Sequence, residues 1–425
     1  MMRAMALSIF YAGLRAADPG GAVRAALVQV PDVSGRRLIL AVGKAGCAMA
    51  EAALAGLGPA ATLVVTDDAN ARPVAGAEVL AAGHPLPDAR GAAAASRIEA
   101  LLRPLSAADQ IVLLLSGGGS ALLPAPVAGI GLADKIEVNR LLLASGLDIV
   151  QTNLVRQALS RLKGGGLARM AAPAQVVALI LSDVMGDDLR VIASGPTARP
   201  VGTRAEAAAM LQAHGLWPQL PAAVRKVLAA PAPGPSSAPR PETVADTEAR
   251  VRNILIGSNA QSLAAMAEAA RQTDLPVLAQ PRPLTGDVRD AAAAIIGRAV
   301  DAAGPCILLW GGETTVQLGP WAGAGGRNQE LALRVALRAE ALGPAGLGGR
   351  WCFLSAGTDG RDGPTEAAGG LVDGKTLVRM RAAGKDPATA AAAHDALPAL
   401  KAAGDLLLTG ATGTNVADLQ VFIRT

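Results

Sequence analysis

Aromatic residues are nearly missing from this chain: four Trp, three Phe and one Tyr, 2% of 425 residues. With so few rings to interleave with basic residues, and a formal charge of only +4, it lacks the stacking platform and basic stripe of a nucleic-acid binder. Cysteine is equally scarce. Cys47, Cys306 and Cys352 are odd in number, far apart and without CxxC spacing, which argues against a disulfide framework or a zinc site and fits a reducing, cytoplasmic compartment. No apolar run approaches the ~20 residues that span a bilayer, so no membrane partner is expected. Residues 1–20 carry Arg3 and an apolar stretch reminiscent of a secretion signal. Leu7, Phe10, Tyr11 and Leu14 nevertheless recur at helical spacing and Arg15 interrupts the cleavage region, so an amphipathic first helix is expected. Only seven of the 39 basic residues are lysine and only three residues are histidine, so each stands out by its position.

What is present is Ala, Val, Leu and Ile in quantity, within a 51% hydrophobic composition. The length is generous for one core and argues for two domains. Continuous apolar runs at 37–43, 61–66, 110–118 and 175–184 alternate with Ala/Leu-rich helical stretches, the pattern of a mostly parallel sheet covered on both faces. The segment 231–243, PAPGPSSAPRPET, is rich in Pro and Ser and reads as an exposed crossing between domains. Beyond it, runs at 252–259, 305–313, 351–360, 404–414 and 419–423 indicate a second α/β unit. The division is therefore 1–240 and 241–425. A homo-oligomer is compatible with this reading.

Ligands of open α/β sheets sit beyond the carboxyl ends of strands, where glycine admits close backbone approach and helix N-termini offer N–H groups to anions. AVGKAGCAMA places Lys44 in a strand-to-helix turn, where an ordinary turn with a solvated lysine is the competing reading. Ser116, Gly117, Gly118, Gly119 and Ser120 follow another strand and are able to present successive N–H groups to phosphate, or to form a plain flexible turn. After Asp148, the spacing of Asn153, Arg156, Ser160 and Lys163 puts them on one helix face that ends in three glycines; a solvated face explains the same pattern. Asp183, Asp187 and Asp188 gather at a strand end ahead of Ser194, as Mg²⁺ ligands, as a proton acceptor, or as turn and cap residues. In the second half, GGETTV, GGRNQEL, SAGTDGRDG and TGATGTNVADL supply polar candidates for substrate or nucleotide: Glu313, Asn328, Thr358, Asp359, Thr414 and Asn415. Arg327, at the start of an expected helix, is the strongest candidate to pair with a carboxylate or a transferring phosphoryl group.

Taken in order, VGKAGCAMA, LLLSGGGSALL, VRQALSRLKGG, SDVMGDDLRVIASGPT, GGETTV, GRNQELAL, AGTDGRDGPTEAAGG and TGTNVADL resemble the class II glycerate 2-kinases, whose C-terminal part is the MOFRL domain. The likeness spans almost the whole chain. It implies a Rossmann-like α/β/α first domain, a smaller α/β second domain with MOFRL at about 305–420, and an active site in the inter-domain cleft. ATP and D-glycerate would give ADP and 2-phosphoglycerate, with Mg²⁺. The resemblance makes Lys44 and Arg327 the essential residues. Gly166 and Ala411 stand where Arg and Pro are frequent in such relatives.

The expected mechanism is in-line phosphoryl transfer, which needs mainly positioning and positive charge. Lys44 and Arg327 supply the charge, the glycine loop cradles phosphate, Mg²⁺ sits near Asp183 or Asp187, and one of these, Asp187 foremost, is the base if one is required. The glycerate carboxylate falls either to Arg327 or to Arg156 or Lys163, the latter freeing Arg327 for phosphate, and the sequence does not rank these. The enzymatic rival, an NAD(P)-dependent hydroxypyruvate reductase, requires a GxGxxG turn that is absent and an acid–base histidine from His84, His214 or His394. A metabolite-binding regulator on the same scaffold is the non-catalytic alternative.

Overall fold

The structure, a computed structural model, describes residues 1–230, 248–302, 304–319, 322–347 and 350–425. The crossing expected at 231–243, and with it the 240/241 division, lies outside the described residues. Two compact units emerge, one formed by Pro19–Ile256 and one by Met1–Asp18 together with Gly257–Thr425.

The first unit is built on β1 (Arg37–Val42), β2 (Ala61–Asp67), β3 (Glu78–Ala82), β4 (Gln110–Leu115), β5 (Gln175–Leu181) and β6 (Val251–Gly257). They lie in the order β3-β2-β1-β4-β5-β6, the order of a dinucleotide-binding Rossmann sheet. The pairs from β3 to β5 are parallel. Both faces are buried, as unbroken apolar strands require. Leu38, Leu40, Leu63, Ile111 and Leu113 pack against Ala94, Ile98 and Leu102 of the helix Ala89–Leu102, while the helix Gly46–Leu57 packs on β1 and β2. A separate apolar cluster joins the helices Leu132–Ala144, Ile149–Ala158, Arg204–Ala213 and Ala222–Ala229 through Val138, Leu142, Val155, Leu211 and Val224.

The second unit holds β7 (Val277–Ala279), β8 (Leu284–Asp287), β9 (Cys306–Thr315), β10 (Trp351–Gly357), β11 (Gly369–Asp373), β12 (Leu406–Leu407) and β13 (Asp418–Arg424). The order is β12-β11-β10-β13-β9-β7, with β8 also pairing with β9. This sheet is mixed: β13 runs antiparallel to both β10 and β9, and β11 returns antiparallel beside β10. Alternate residues serve its two faces. Leu308, Trp310, Phe353 and Phe422 meet Leu331, Val335 and Ile295 on one face. Ile307, Leu309, Leu354 and Val421 meet Phe10, Ile9 and Met266 on the other.

Three features differ from the sequence reading. The first helix, Met2–Ala16, belongs to the second unit, because its buried face of Ala6, Ile9, Phe10 and Gly13 packs on the helix Asn259–Ala270. Gly13 permits that approach, since a Cβ there would lie 2.7 Å from Met266 Cγ. The strand at 252–259 completes the first sheet as β6 rather than opening the second. The helix after Asp148 stops at Ala158, because the chain turns to bond Ala125, with Arg161 N–H donating to its carbonyl at 2.8 Å. Ser160 and Lys163 therefore lie beyond the helix.

Candidate active site

In the first unit, β1 and β4 are neighbours from which the strand order runs in opposite directions, and this switch point is where such sheets bind ligands. The turns after these strands are laced together. Lys44 N–H donates to the Gly117 carbonyl at 2.9 Å and Ala45 N–H to Ser116 Oγ at 3.0 Å. Gly43, at φ +129°, has no room for a side chain, because a Cβ would fall 2.2 Å from Ser116 Oγ. Ser116 thus acts as a buried brace. The next N–H groups are unbonded: among the described residues no protein acceptor meets those of Gly118 and Gly119, and Gly118 lines the neighbouring pocket. Ser120 Oγ and Ser194 Oγ are 2.7 Å apart, which ties the loop to the segment after β5.

Beside this loop lies a pocket of about 140 Å³ lined by His84, Gly118, Ser120, Lys135, Asn139, Arg156 and Lys163 among others. Lys135 Nζ donates to the carbonyls of Arg156 and Leu159 at 3.0 and 3.4 Å. Lys163 Nζ donates to the Ser120 carbonyl at 2.5 Å, and Arg156 Nε to Asn139 Oδ1 at 3.0 Å. No carboxylate of the described residues pairs with these three cations. Burial, then the charge of Arg156, brings the Lys135 ammonium down to about 7. Burial followed by the charges of Lys135 and Arg156 pushes Lys163 well below its ordinary value. Burial also lowers Arg156. Such mutual strain is what a bound anion relieves. Arg156 and Lys163, expected together on one helix face, do share this pocket, by way of the turn that ends the helix.

Asp183 and Asp187 have different surroundings. Asp183 Oδ2 lies 2.2 Å from where a Cβ on Gly117 would be, so its carboxylate fills the space that glycine leaves. Burial holds the Asp183 carboxyl above its usual range, with its own N–H and Lys44 pulling it down. Asp187, at φ +54°, lines a separate open pocket with Asp188, Arg190 and Glu248. Asp188 is taken up by Arg190 at 2.7 Å. Among the described residues, no group of three or more His, Cys, Asp or Glu side chains is placed to hold a metal.

In the second unit, Arg327 opens the helix Arg327–Ala341. Its Nε and Nη2 donate to the two oxygens of the fully buried Asp418 at 2.6 and 2.9 Å, and its Nη1 meets Glu313 Oε1 at 2.9 Å. Burial opposes its charge, but the Asp418 bond and the charges of Asp418, Glu313 and Asp362 outweigh that and raise it. The helix N-terminus is occupied by the protein itself, because Asp362 accepts from Asn328 N–H and Gln329 N–H at 3.0 and 2.8 Å. Burial lifts the Asp362 carboxyl to about 6 despite those bonds. Of the loop residues expected to touch ligand, Asn328 is buried against Ser355 and Asp362. The Thr358 hydroxyl bonds Ala417 and Val416, and Thr414 Oγ1 bonds the Ala17 carbonyl. Glu313, Asp359 and Asn415 keep accessible surface.

The sequence reading passed over Lys135, Asn139, Asp362 and Asp418. Lys135 did leave a signal: it shares the buried stripe of its helix with Val138 and Leu142, a position where lysine is almost never found without a reason.

A model described as a domain of unknown function, DUF4147, matches residues 5–229, and the MOFRL family model matches residues 306–418. A protein of Agrobacterium vitis provisionally named hydroxypyruvate reductase is 41% identical over 98% of this chain and 93% of its own. The glycerate 2-kinase of Pyrococcus horikoshii is 35% identical over 100% and 98%. The crystal structure of a glycerate kinase from Thermotoga maritima superposes with a TM-score of 0.86 at 35% identity, covering 100% of this chain and 99% of that one. No helix among the described residues is long and apolar enough to cross a membrane. The chain belongs to the MOFRL-domain glycerate kinase family.

Proposed function

We propose that the protein phosphorylates D-glycerate at its C2 hydroxyl with ATP, releasing ADP and 2-phosphoglycerate in the cytoplasm. The observation that carries this reading is the pocket in which Lys135, Arg156 and Lys163 converge without a carboxylate beside the glycine loop. Its volume of about 140 Å³ is below the roughly 300–1,000 Å³ of sites for drug-sized ligands, which suits a small acid. The glycerate kinase names of the Pyrococcus and Thermotoga relatives support the same substrate.

Phosphoryl transfer asks the protein chiefly for positioning and fixed positive charge. Arg156, Lys163 and Lys135 hold the substrate carboxylate. Gly117, Gly118 and Gly119 cradle phosphate oxygens with backbone N–H groups, and Lys44, at the neighbouring turn, draws charge from the transferring group. Arg327, kept in one orientation by Asp418 and Glu313, is the second essential cation. Glu313, Asp359 and Asn415 are proposed nucleotide contacts, while Asn328, Thr358 and Thr414 shape their loops. ATP enters with Mg²⁺, which neutralises charge on its phosphates. Mg²⁺ keeps most of its waters and takes one or two protein carboxylates, a demand that Asp183 against the glycine loop fits, with Asp187 as the further candidate.

The test is an assay of the purified protein with ATP, Mg²⁺ and D-glycerate, reading ADP release and the phosphoglycerate isomer. Formation of the 3-isomer, or no ADP at all, overturns the proposal. Oxidation of NADH by hydroxypyruvate in a parallel reaction would favour a reductase instead. Lys44→Ala and Arg327→Ala should each lower kcat by about 10²–10³-fold, the range for removing one group that stabilises transition-state charge.

A further inference from the structure

The pocket that would hold glycerate contains three cations and no acid, yet phosphorylation of an alcohol must dispose of the hydroxyl proton. Asp183 faces Gly117 and Asp187 lines another pocket, so neither carboxylate is among the pocket's walls. Among the described lining residues, Ser120 Oγ is paired with Ser194 and Asn139 Oδ1 accepts from Arg156. Lys135 and Lys163 donate to carbonyls, and a bound carboxylate favours their charged forms. His84 is different. Its ring makes no hydrogen bond to the protein among the described residues. Its edge is turned to the glycine loop: a Cβ on Gly118 would lie 3.2 Å from His84 Cδ2, 3.3 Å from Nε2 and 3.4 Å from Lys44 Cγ. The imidazole therefore stands where the phosphate cradle, Lys44 and the acid pocket meet.

We propose that His84 is the proton acceptor for the attacking hydroxyl, an assignment that rests on the kinase reading. As the substrate oxygen bonds to Pγ, the bond between Pγ and the bridging oxygen breaks, and its electron pair leaves with ADP. The hydroxyl proton passes to His84 Nε2 and from there to solvent. Partial burial, and next the charge of Lys44, lower the His84 imidazole, while Asp67 raises it. His84 itself is exposed, and this lowering tips its imidazole toward the neutral form, which can accept a proton. In a loose transition state the proton moves late, so the contribution belongs near the lower end of the about 10²–10⁴-fold range of general base catalysis.

The groups facing His84 are Lys44 from the β1 turn, Asp67 from the end of β2, and Lys135, Arg156 and Lys163 across the pocket. The acid limb of kcat/KM is assigned to His84 and the alkaline limb to the pocket lysines, Lys135 and Lys163. The experiment follows ADP release by the full-length enzyme with ATP, Mg²⁺ and D-glycerate between pH 5 and about 9, for the wild type, His84→Gln and His84→Ala. Both variants should lose about 10²-fold or more in kcat, keep KM for glycerate and ATP close to wild type, and lose the acid limb. Added imidazole should restore part of the His84→Ala rate, more so as imidazole becomes neutral. A folded variant that keeps kcat, or whose acid limb stays in place, overturns the assignment. If His84→Ala does not fold, His84→Gln and its pH profile decide alone. A wild type that forms no ADP with glycerate overturns the kinase reading first, so the two failures are told apart.

Discussion

Asp418, at the first residue of β13, grips Arg327 through both carboxylate oxygens, at 2.6 and 2.9 Å, and is itself wholly shielded from solvent. The pair fixes the guanidinium before any ligand arrives, leaving Glu313 on its accessible side. Removing one partner of a fully buried pair costs about 3–5 kcal/mol; here the figure is smaller, because the Arg327 side chain is 35% exposed. Asp418→Asn keeps the shape but halves the grip. It should lower stability in urea unfolding and reduce kcat by ~10²-fold, the effect of misplacing a group by about an ångström. Glu313→Gln, on the exposed side, should change stability by under about 1 kcal/mol while still lowering kcat. Equal effects of the two substitutions on stability would show that Asp418 is not the anchor.

Gly117 and Asp183 share one small space, so adding a methyl group to the first must displace the second. Gly117→Ala is expected to weaken Mg-ATP binding by ~10-fold or more in isothermal titration, because the loop or the carboxylate has to shift by more than an ångström. Gly118→Ala fails for another reason. Its φ of +88° is strained for any residue with a Cβ, at roughly 1–2 kcal/mol. Asp183→Ala placed on top of Gly117→Ala should recover thermal stability but not nucleotide affinity; recovery of both would remove Asp183 from the nucleotide site.

Arg156 and Lys163 should act on the acid rather than the nucleotide. Arg156→Gln is expected to raise KM for glycerate by about 10–100-fold, the effect of losing a charge-assisted hydrogen bond of roughly 1.5–3 kcal/mol, with KM for ATP almost unchanged. A rise in KM for ATP alone would move the pocket from the acid to the nucleotide.

The first sheet was legible because its central strands are unbroken apolar runs: Leu38, Ile39 and Leu40, or Ile111, Val112 and Leu113, allow no other reading once helices alternate with them. β11 was not, since it begins Gly369-Gly370, residues with no strand preference. They are needed because a Cβ on Gly369 would lie 1.9 Å from the Ser355 carbonyl oxygen. Lys44 and Arg327 were visible as lone cations at strand and helix ends. Asp418 was hidden, because its partner lies 91 residues away and nothing local marks a carboxylate at the head of an apolar strand as an arginine anchor. His84 stood out in the sequence only as one of three acid–base histidine candidates for the rival reductase. Only the meeting of the β3 end with the β1 and β4 turns gives its ring a chemical setting.

Lys135 links stability to pH in a direction that can be measured. Lys135 is 6% exposed, and its ammonium is brought down to about 7 in the folded chain from the 10.5 of an ordinary lysine. Between those values the unfolded chain holds a proton that the folded chain does not, so stability rises with pH through that window; below about 7 the penalty is fully in place. Lys135→Met removes the titration and also leaves the carbonyls of Arg156 and Leu159 without a donor, at about 1–3 kcal/mol for each unsatisfied group, so a single-pH comparison is uninformative. The slope is what matters. From pH 7 to about 9 the wild type should gain more stability in urea unfolding than Lys135→Met, with Lys163 present in both. A bound acid should reverse the shift by favouring the charged lysine. Glycerate binding near pH 8 should then take up a proton in the wild type, read as a dependence of binding heat on buffer ionisation enthalpy, and this uptake should fall in Lys135→Met. Equal slopes and equal uptake in the two proteins would mean that Lys135 stays charged in the folded chain and is held by the carbonyls alone.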